Sequence, residues 1–461
     1  MASYIFLFLL SLLLLLPSIS SNITTIPLSH FHRNPHPHPH LHPCHHLNNL
    51  ATSSLKRAHH LKNPQTTTTH RTTTPVFSQS YGGYSIPLSF GTPPQTLSFI
   101  MDTGSDFTWF PCTKNYQCVN CPSYLKPFIP KLSSSSKILG CSDSKCALFH
   151  NKSPRFHCQA CRPNSKNCTQ MCPAYTFVYG LGETTGVPLS ETLNLPTRSV
   201  PDFLVGCSVS STHQPPAGIA GLGRGPASFP GQLGFKKFSY CLLSRLFDDT
   251  NKSSLLVLDA GEKWAKKTTG VIYTPFVSNP LVPARPAFSV YYYVGLRQIK
   301  VGRRRVKIPY RYLRPDSRGS GGTIIDSGTT FTIMAPEVSQ RVSGEFARQM
   351  AAVGYKRAEE VEAVSGLKPC YSISGAKSAA FPVVTFHFKG GAEVALPVEN
   401  YMAIAGDDLV CLTIMSDKEL GGPEVSSSGP SIIIGSFQLQ NFYVEYDLLN
   451  ERLGFRQQRC N

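Results

Sequence analysis

The alternation of apolar and polar positions changes character several times along the chain. Ile5 to Leu16 is almost wholly apolar and runs into Pro17-Ser18-Ile19-Ser20. That run is too short to span a bilayer comfortably and closes on small residues, so residues 1–20 are expected to be a secretory signal. No later stretch is long and apolar enough to predict a membrane span. Residues 21–80 are polar and repetitive, with His36-Pro37-His38-Pro39-His40 and threonine runs at Thr66 to Thr69 and Thr72 to Thr74. Such a tract buries too little apolar surface to offset chain entropy, so disorder is expected, with Leu50 to Leu61 the exception. From Tyr84 the pattern turns to strands and turns. Strands are expected at Tyr84 to Phe90 and Leu97 to Met101, around a Gly91-Thr92-Pro93-Pro94 turn. Cys112 to Cys172 reads as a loop-rich insertion. Gly221 to Gly231 is rich in Gly and Pro and predicts a short helix over Ser228 to Leu233. Val338 to Val353 has helical spacing, and Val444 to Asp447 is a late strand. With 35 Gly, 37 Pro and many short β-branched and aromatic runs, the 461 residues read as a mainly β chain of two or three domains.

Two of the apolar runs end alike. Phe99-Ile100-Met101 leads into Asp102-Thr103-Gly104-Ser105, and Thr323-Ile324-Ile325 leads into Asp326-Ser327-Gly328-Thr329. Phe-Thr then follows at the same offset, at Phe107-Thr108 and Phe331-Thr332. Either aspartate alone reads as an ordinary turn residue after a strand. A carboxylate at the end of an apolar strand is costly unless it is hydrogen-bonded or shares a proton. Two matched copies, each with a later apolar-apolar-Gly segment (Ile219-Ala220-Gly221 and Ile433-Ile434-Gly435), suggest carboxylates brought face to face. Such a pair can activate a water and protonate a leaving group in one step.

These motifs resemble those of pepsin-family aspartic proteases, and within them the cysteine-rich, nepenthesin-like plant branch. The likeness runs from about Tyr81 to Asn461. It implies an all-β, bilobal pepsin-like fold, two β-barrel-like lobes with the active-site cleft between them. The domain plan is then a signal at 1–20, a pro-segment at 21–80, an N-terminal lobe at 81–285 with the Cys-rich insertion 112–172, and a C-terminal lobe at 286–461. By resemblance Asp102 and Asp326 are the catalytic dyad, sharing a proton, and Ser105 and Thr329 hydrogen-bond the carboxylates from outside. Tyr179, in the Phe177 to Val187 hairpin, is the flap tyrosine, and Trp109 props it. Lys56 or Arg57 of the pro-segment is expected to sit against the charged dyad. The activity implied is acid endopeptidase action on peptide or protein substrates, by a monomer, without metal or other cofactor. A second class is an inactive inhibitor or binding protein of cell-wall-degrading enzymes. Those typically lose one motif, and both are intact here.

The formal charge is +17; no Asp or Glu precedes Asp102, where five cations lie, which leaves +12 on the remainder. The densest run is Arg303-Arg304-Arg305-Val306-Lys307. A solvated hairpin is its ordinary reading, and binding of an acidic cell-wall polysaccharide is the other. No nucleic-acid motif is present. Of the 15 cysteines, Cys44 stands alone in the leader, and ten lie between Cys112 and Cys207. The even set without Cys44 fits disulfides in an oxidising compartment, secreted to the cell wall or vacuolar. The Cys118/Cys121 and Cys158/Cys161 pairs also have zinc-ribbon spacing, the reading a secretory route disfavours. The family pattern pairs Cys241 with Cys460 and Cys370 with Cys411. Asn151, Asn167 and Asn251 are glycosylation sequons. Eleven of 15 histidines precede Thr72, so acid adds positive charge to the leader and is expected to favour its release. Metal binding by this His-rich tract is the rival reading.

Overall fold

The computed structural model describes residues 23–30, 43–64, 83–119, 125–150, 158, 161, 168–180, 182–214, 217–244, 253–259, 267–375, 380–418 and 429–460. The proposed signal and the sequons at Asn151, Asn167 and Asn251 lie outside them.

The strand patterns produce a mainly β molecule. One 15-stranded sheet carries the first lobe and extends into strands from the end of the chain. In it Tyr84–Phe90 pairs antiparallel with Gln95–Asp102. Phe442–Asp447 pairs with Lys237–Cys241, and Arg452–Gln457 pairs with Phe442–Asp447. The last strands of the second half therefore close onto the first, and Cys241–Cys460 fastens them. The rest of the second lobe is a five-stranded and two four-stranded sheets. Its largest helix, Pro336–Val353, starts on a proline and stops at Gly354, whose φ of 93° suits glycine. Val338, Val342, Phe346 and Met350 line its buried face at four-residue spacing. The short helix Phe229–Leu233 is capped by the Ser228 hydroxyl, which accepts from Gly231 N.

The expected disorder of 21–80 is corrected over two segments. Ile23–His30 is a strand, paired with Ser254–Asp259 and touching Tyr84–Phe90. Pro43–Lys62 is a 20-residue helix. Its polar surface hides a one-sided stripe of Leu47, Leu50, Leu55 and Leu61, each at most 6% exposed. Each buried leucine contributes about 1.5–3 kcal/mol relative to exposure. The stripe packs on the second lobe, against Ile324, Phe331, Ile333 and Val361. Tertiary burial, not intrinsic propensity, holds this helix.

Candidate active site

Each aspartate loop is gripped by its own lobe. Gly218–Gly221 lies parallel to Gln95–Asp102, with Gly221 opposite Asp102, and antiparallel to Trp109. In the second lobe Ile432–Ile434 lies parallel to Thr323–Ile325 and antiparallel to Ile333. The chain passes so close that a Cβ on Gly221 would sit 2.4 Å from the Asp106 carbonyl carbon, and one on Gly435 2.4 Å from Thr330 O. Only glycine fits at these two points.

The two loops then meet. Thr103 N donates to Ser327 Oγ at 3.0 Å, and Ser327 N donates to Thr103 Oγ1 at 2.9 Å. This reciprocal bracing uses the second residue of each Asp-Thr/Ser-Gly triplet. The sequence shows a hydroxyl there in both copies, but gives no sign that each serves the other. A Cβ on Gly104 would lie 2.6 Å from Asp326 Oδ1, and one on Gly328 2.6 Å from Asp102 Oδ1. Each carboxylate therefore lies over the other motif's glycine.

Both carboxylates are buried and dressed alike. Asp102 Oδ1 accepts from Gly104 N at 3.0 Å and Oδ2 from Ser105 Oγ at 2.6 Å. Asp326 Oδ1 accepts from Gly328 N at 3.0 Å and Oδ2 from Thr329 Oγ1 at 2.5 Å. Arg57, from the helix Pro43–Lys62, bridges them: Nη2 donates to Asp102 Oδ1 at 2.7 Å and Nε to Asp326 Oδ2 at 3.1 Å. Of Lys56 and Arg57, Arg57 reaches the pair, whereas the Lys56 carbonyl lies against Gly180. Burial pushes Asp102 up to about 6, with the Asp326 charge adding to it and Arg57, Ser105 and Gly104 opposing. Burial acts on Asp326 in the same direction, but Arg57, Thr329 and Gly328 outweigh it and hold that carboxyl below its usual range.

Tyr179 ends the first arm of a hairpin formed by Tyr175–Tyr179 and Gly182–Asn194. Trp109, fully buried, donates from Nε1 to the Tyr179 hydroxyl at 3.0 Å. The next residue, Gly180, rests on the helix Pro43–Lys62: a Cβ there would lie 2.5 Å from Arg57 Cα. A cavity of about 60 Å³ lies between hairpin, helix and Asp102. The helix thus fills the space over the carboxylates that a peptide would need.

Three of the four cysteines considered for zinc are spent on disulfides. Cys158 pairs with Cys141 and Cys161 with Cys168. Cys118 is disulfide-bonded, and Cys121 lies outside the described residues. Cys146 and Cys172, near His150, are joined to each other, so they offer no thiolate pair. Cys112 pairs with Cys207, and Cys370 with Cys411. Cys44 remains a buried thiol that donates to Ala405 O. Arg303 to Arg305 lie exposed at the end of a second-lobe hairpin.

The chain matches the family described as xylanase inhibitor N-terminal over residues 84–258 and xylanase inhibitor C-terminal over 291–457. It is 33% identical over 426 residues to a probable aspartyl protease of Arabidopsis thaliana, covering 82% of each chain. It is 33% identical over 385 residues to aspartic proteinase nepenthesin-1 of Nepenthes gracilis, covering 82% of this chain and 78% of that one. Among solved structures, edgp superposes with a TM-score of 0.65 at 20% identity over 96% of each chain. Basic 7S globulin from soybean superposes at 0.62 and 18% identity, covering 95% of this chain and 97% of that one. At those identities the structures speak for the pepsin-like fold alone. With two Asp-Thr/Ser-Gly loops meeting across two lobes, the chain belongs to the nepenthesin-like plant branch of the pepsin-family aspartic proteases and is an aspartic-type endopeptidase.

Proposed function

We propose that Asp102 and Asp326 are the catalytic pair of a secreted or vacuolar acid endopeptidase, made as a zymogen whose leader, residues 21–80, blocks its own cleft. The observation that carries this reading is one guanidinium held between two buried carboxylates. A peptide cannot reach them while Arg57 is there. Once it withdraws, a water between the carboxylates loses a proton to the ionised one and attacks the scissile carbonyl carbon. The protonated carboxyl polarises that carbonyl, and the C–N bond then breaks as the amine takes a proton. Ser105 and Thr329 keep each carboxylate oriented, and Tyr179, steadied by Trp109, folds over the substrate and excludes water. The disulfides suit an oxidising compartment. Among the described residues no helix is long and apolar enough to cross a membrane. The substrate is a peptide or protein. The exposed arginine run at Arg303 to Arg305 offers an acidic cell-wall polysaccharide a second, independent contact.

The test is acid treatment of the purified full chain followed by incubation with peptides, with and without pepstatin. Cleavage should be blocked by pepstatin and lost in Asp102→Asn and in Asp326→Asn, which should stay folded. Near wild-type turnover in either variant contradicts the assignment.

A further inference from the structure

The leader helix makes a second buried ion pair besides the one at the carboxylates. Lys62, its last residue, pairs through Nζ with Asp417 Oδ2, with the two side chains only 4% and 7% exposed. The two partners lie 355 residues apart. Asp417 follows a strand of the second lobe. Its N–H donates to Met334 O at 3.1 Å, and the strand before it, Ile414–Ser416, lies parallel to Thr332–Met334, the strand that follows the Asp326 loop. Gly429 closes on the same spot: a Cβ there would be 2.6 Å from Lys62 Cα. Among the described residues Asp417 has no other ion pair, and its Oδ1 is buried without a hydrogen-bond partner.

Removing the leader takes this cation away. The carboxylate is then opened to water on the face that Lys62 covered, and a basic side chain of the next occupant can take the place of Lys62 there. The next occupant of the cleft is substrate. Arg57 marks the position of the reacting carboxylates, and Lys62 lies five residues further along the helix. At 1.5 Å per residue that is roughly 7.5 Å. An extended peptide advances about 3.3 Å per residue, so the same distance is about two to three substrate residues from the bond cleaved.

We infer that Asp417 is a specificity-determining residue, the acidic floor of a subsite that takes an arginine or lysine two or three residues from the scissile bond. Arginine is the better fit. Its fork can serve both Oδ2 and the orphaned Oδ1, whereas lysine brings a single point charge. This rests on the peptidase reading above and names the substrates of that same cleft.

The experiment uses acid-treated full chain and matched peptides carrying Arg, Lys or Gln at two and at three residues on either side of the cleaved bond. At one of these positions kcat/KM should rank Arg above Lys above Gln, with Arg over Gln by about tenfold or more, as expected for a buried charge-assisted contact. Asp417→Asn should erase the ranking while the Gln peptides are still cleaved. Asp417→Arg should turn the preference toward Glu, a reversal that misfolding cannot produce. A ranking that survives in Asp417→Asn, or equal cleavage of all peptides by the wild type, overturns the inference and leaves the peptidase reading standing. If the wild type cleaves none of them, the peptidase reading falls first and the subsite with it.

Discussion

At the residue scale the informative groups are those whose charge is set by the leader's presence. Arg57 touches both carboxylates, and His60, one turn further along, faces Tyr179 with ring centroids 6.3 Å apart. Burial, with Arg57 and His59 adding to it and Asp326 opposing, pushes His60 down to about 3. His60 is therefore neutral while docked, and its contribution to docking is full above about 6.5 and erodes as pH falls toward 3. Asp326, held low, contributes above the ordinary carboxylate range and loses that contribution as pH falls through its depressed value. Arg57 favours the ionised form of Asp102 as well, against burial and the Asp326 charge, so protonating either carboxylate as pH falls takes a partner from Arg57. His60 and the carboxylates therefore act in the same direction, and the helix should leave as pH falls. Hydrogen exchange of residues 43–62 against pH measures this. His60→Gln should move the release midpoint to lower pH, and Arg57→Gln should move it up toward neutrality. An unmoved midpoint in His60→Gln removes that histidine from the switch.

At the scale of elements the leader helix is the one with most to explain. Its interface leucines act as core residues, so Leu61→Ala, fully buried in the wild type, should weaken docking by about 2–5 kcal/mol. Exchange across 43–62 should quicken while the rest of the chain keeps its protection; uniform quickening would place Leu61 in the main core instead. The strands at Tyr84–Phe90 and Gln95–Asp102 and the helix Pro336–Val353 were legible because each has its own period and punctuation. The meeting of Asp102 with Asp326 was legible because the motif repeats. The full length of the leader helix was not. Its His, Asn and Ser residues dilute the leucine stripe, and its stability lies in a surface that the local sequence does not contain. The helix Glu359–Ser365 was missed for the related reason that it is short and acidic, and it is held against the leader helix. Lys62 with Asp417, and Thr103 with Ser327, are long-range pairings with no local signal.

At the scale of the molecule, the two lobes are not separate bodies on a tether. The closing strands Phe442–Asp447 and Arg452–Gln457 belong to the sheet that carries Asp102. The Cys241–Cys460 bridge spans 219 residues of chain, a long loop in the unfolded state. Replacing both cysteines by serine should lower unfolding free energy by about 2–4 kcal/mol. Denaturant unfolding under oxidising conditions checks this, and an unchanged midpoint would mean that the sheet alone holds the lobes together. The central claim, a competent carboxylate pair held shut by one leader arginine, is tested most directly by peptide cleavage in full-length Arg57→Gln, compared with the wild type, at a mildly acid pH where the leader-free enzyme cleaves and the intact wild type does not. The account predicts that Arg57→Gln cleaves where the wild type is silent, and that adding Asp102→Asn or Asp326→Asn abolishes the cleavage. An Arg57→Gln chain as silent as the wild type, or a double variant that still cleaves, contradicts it.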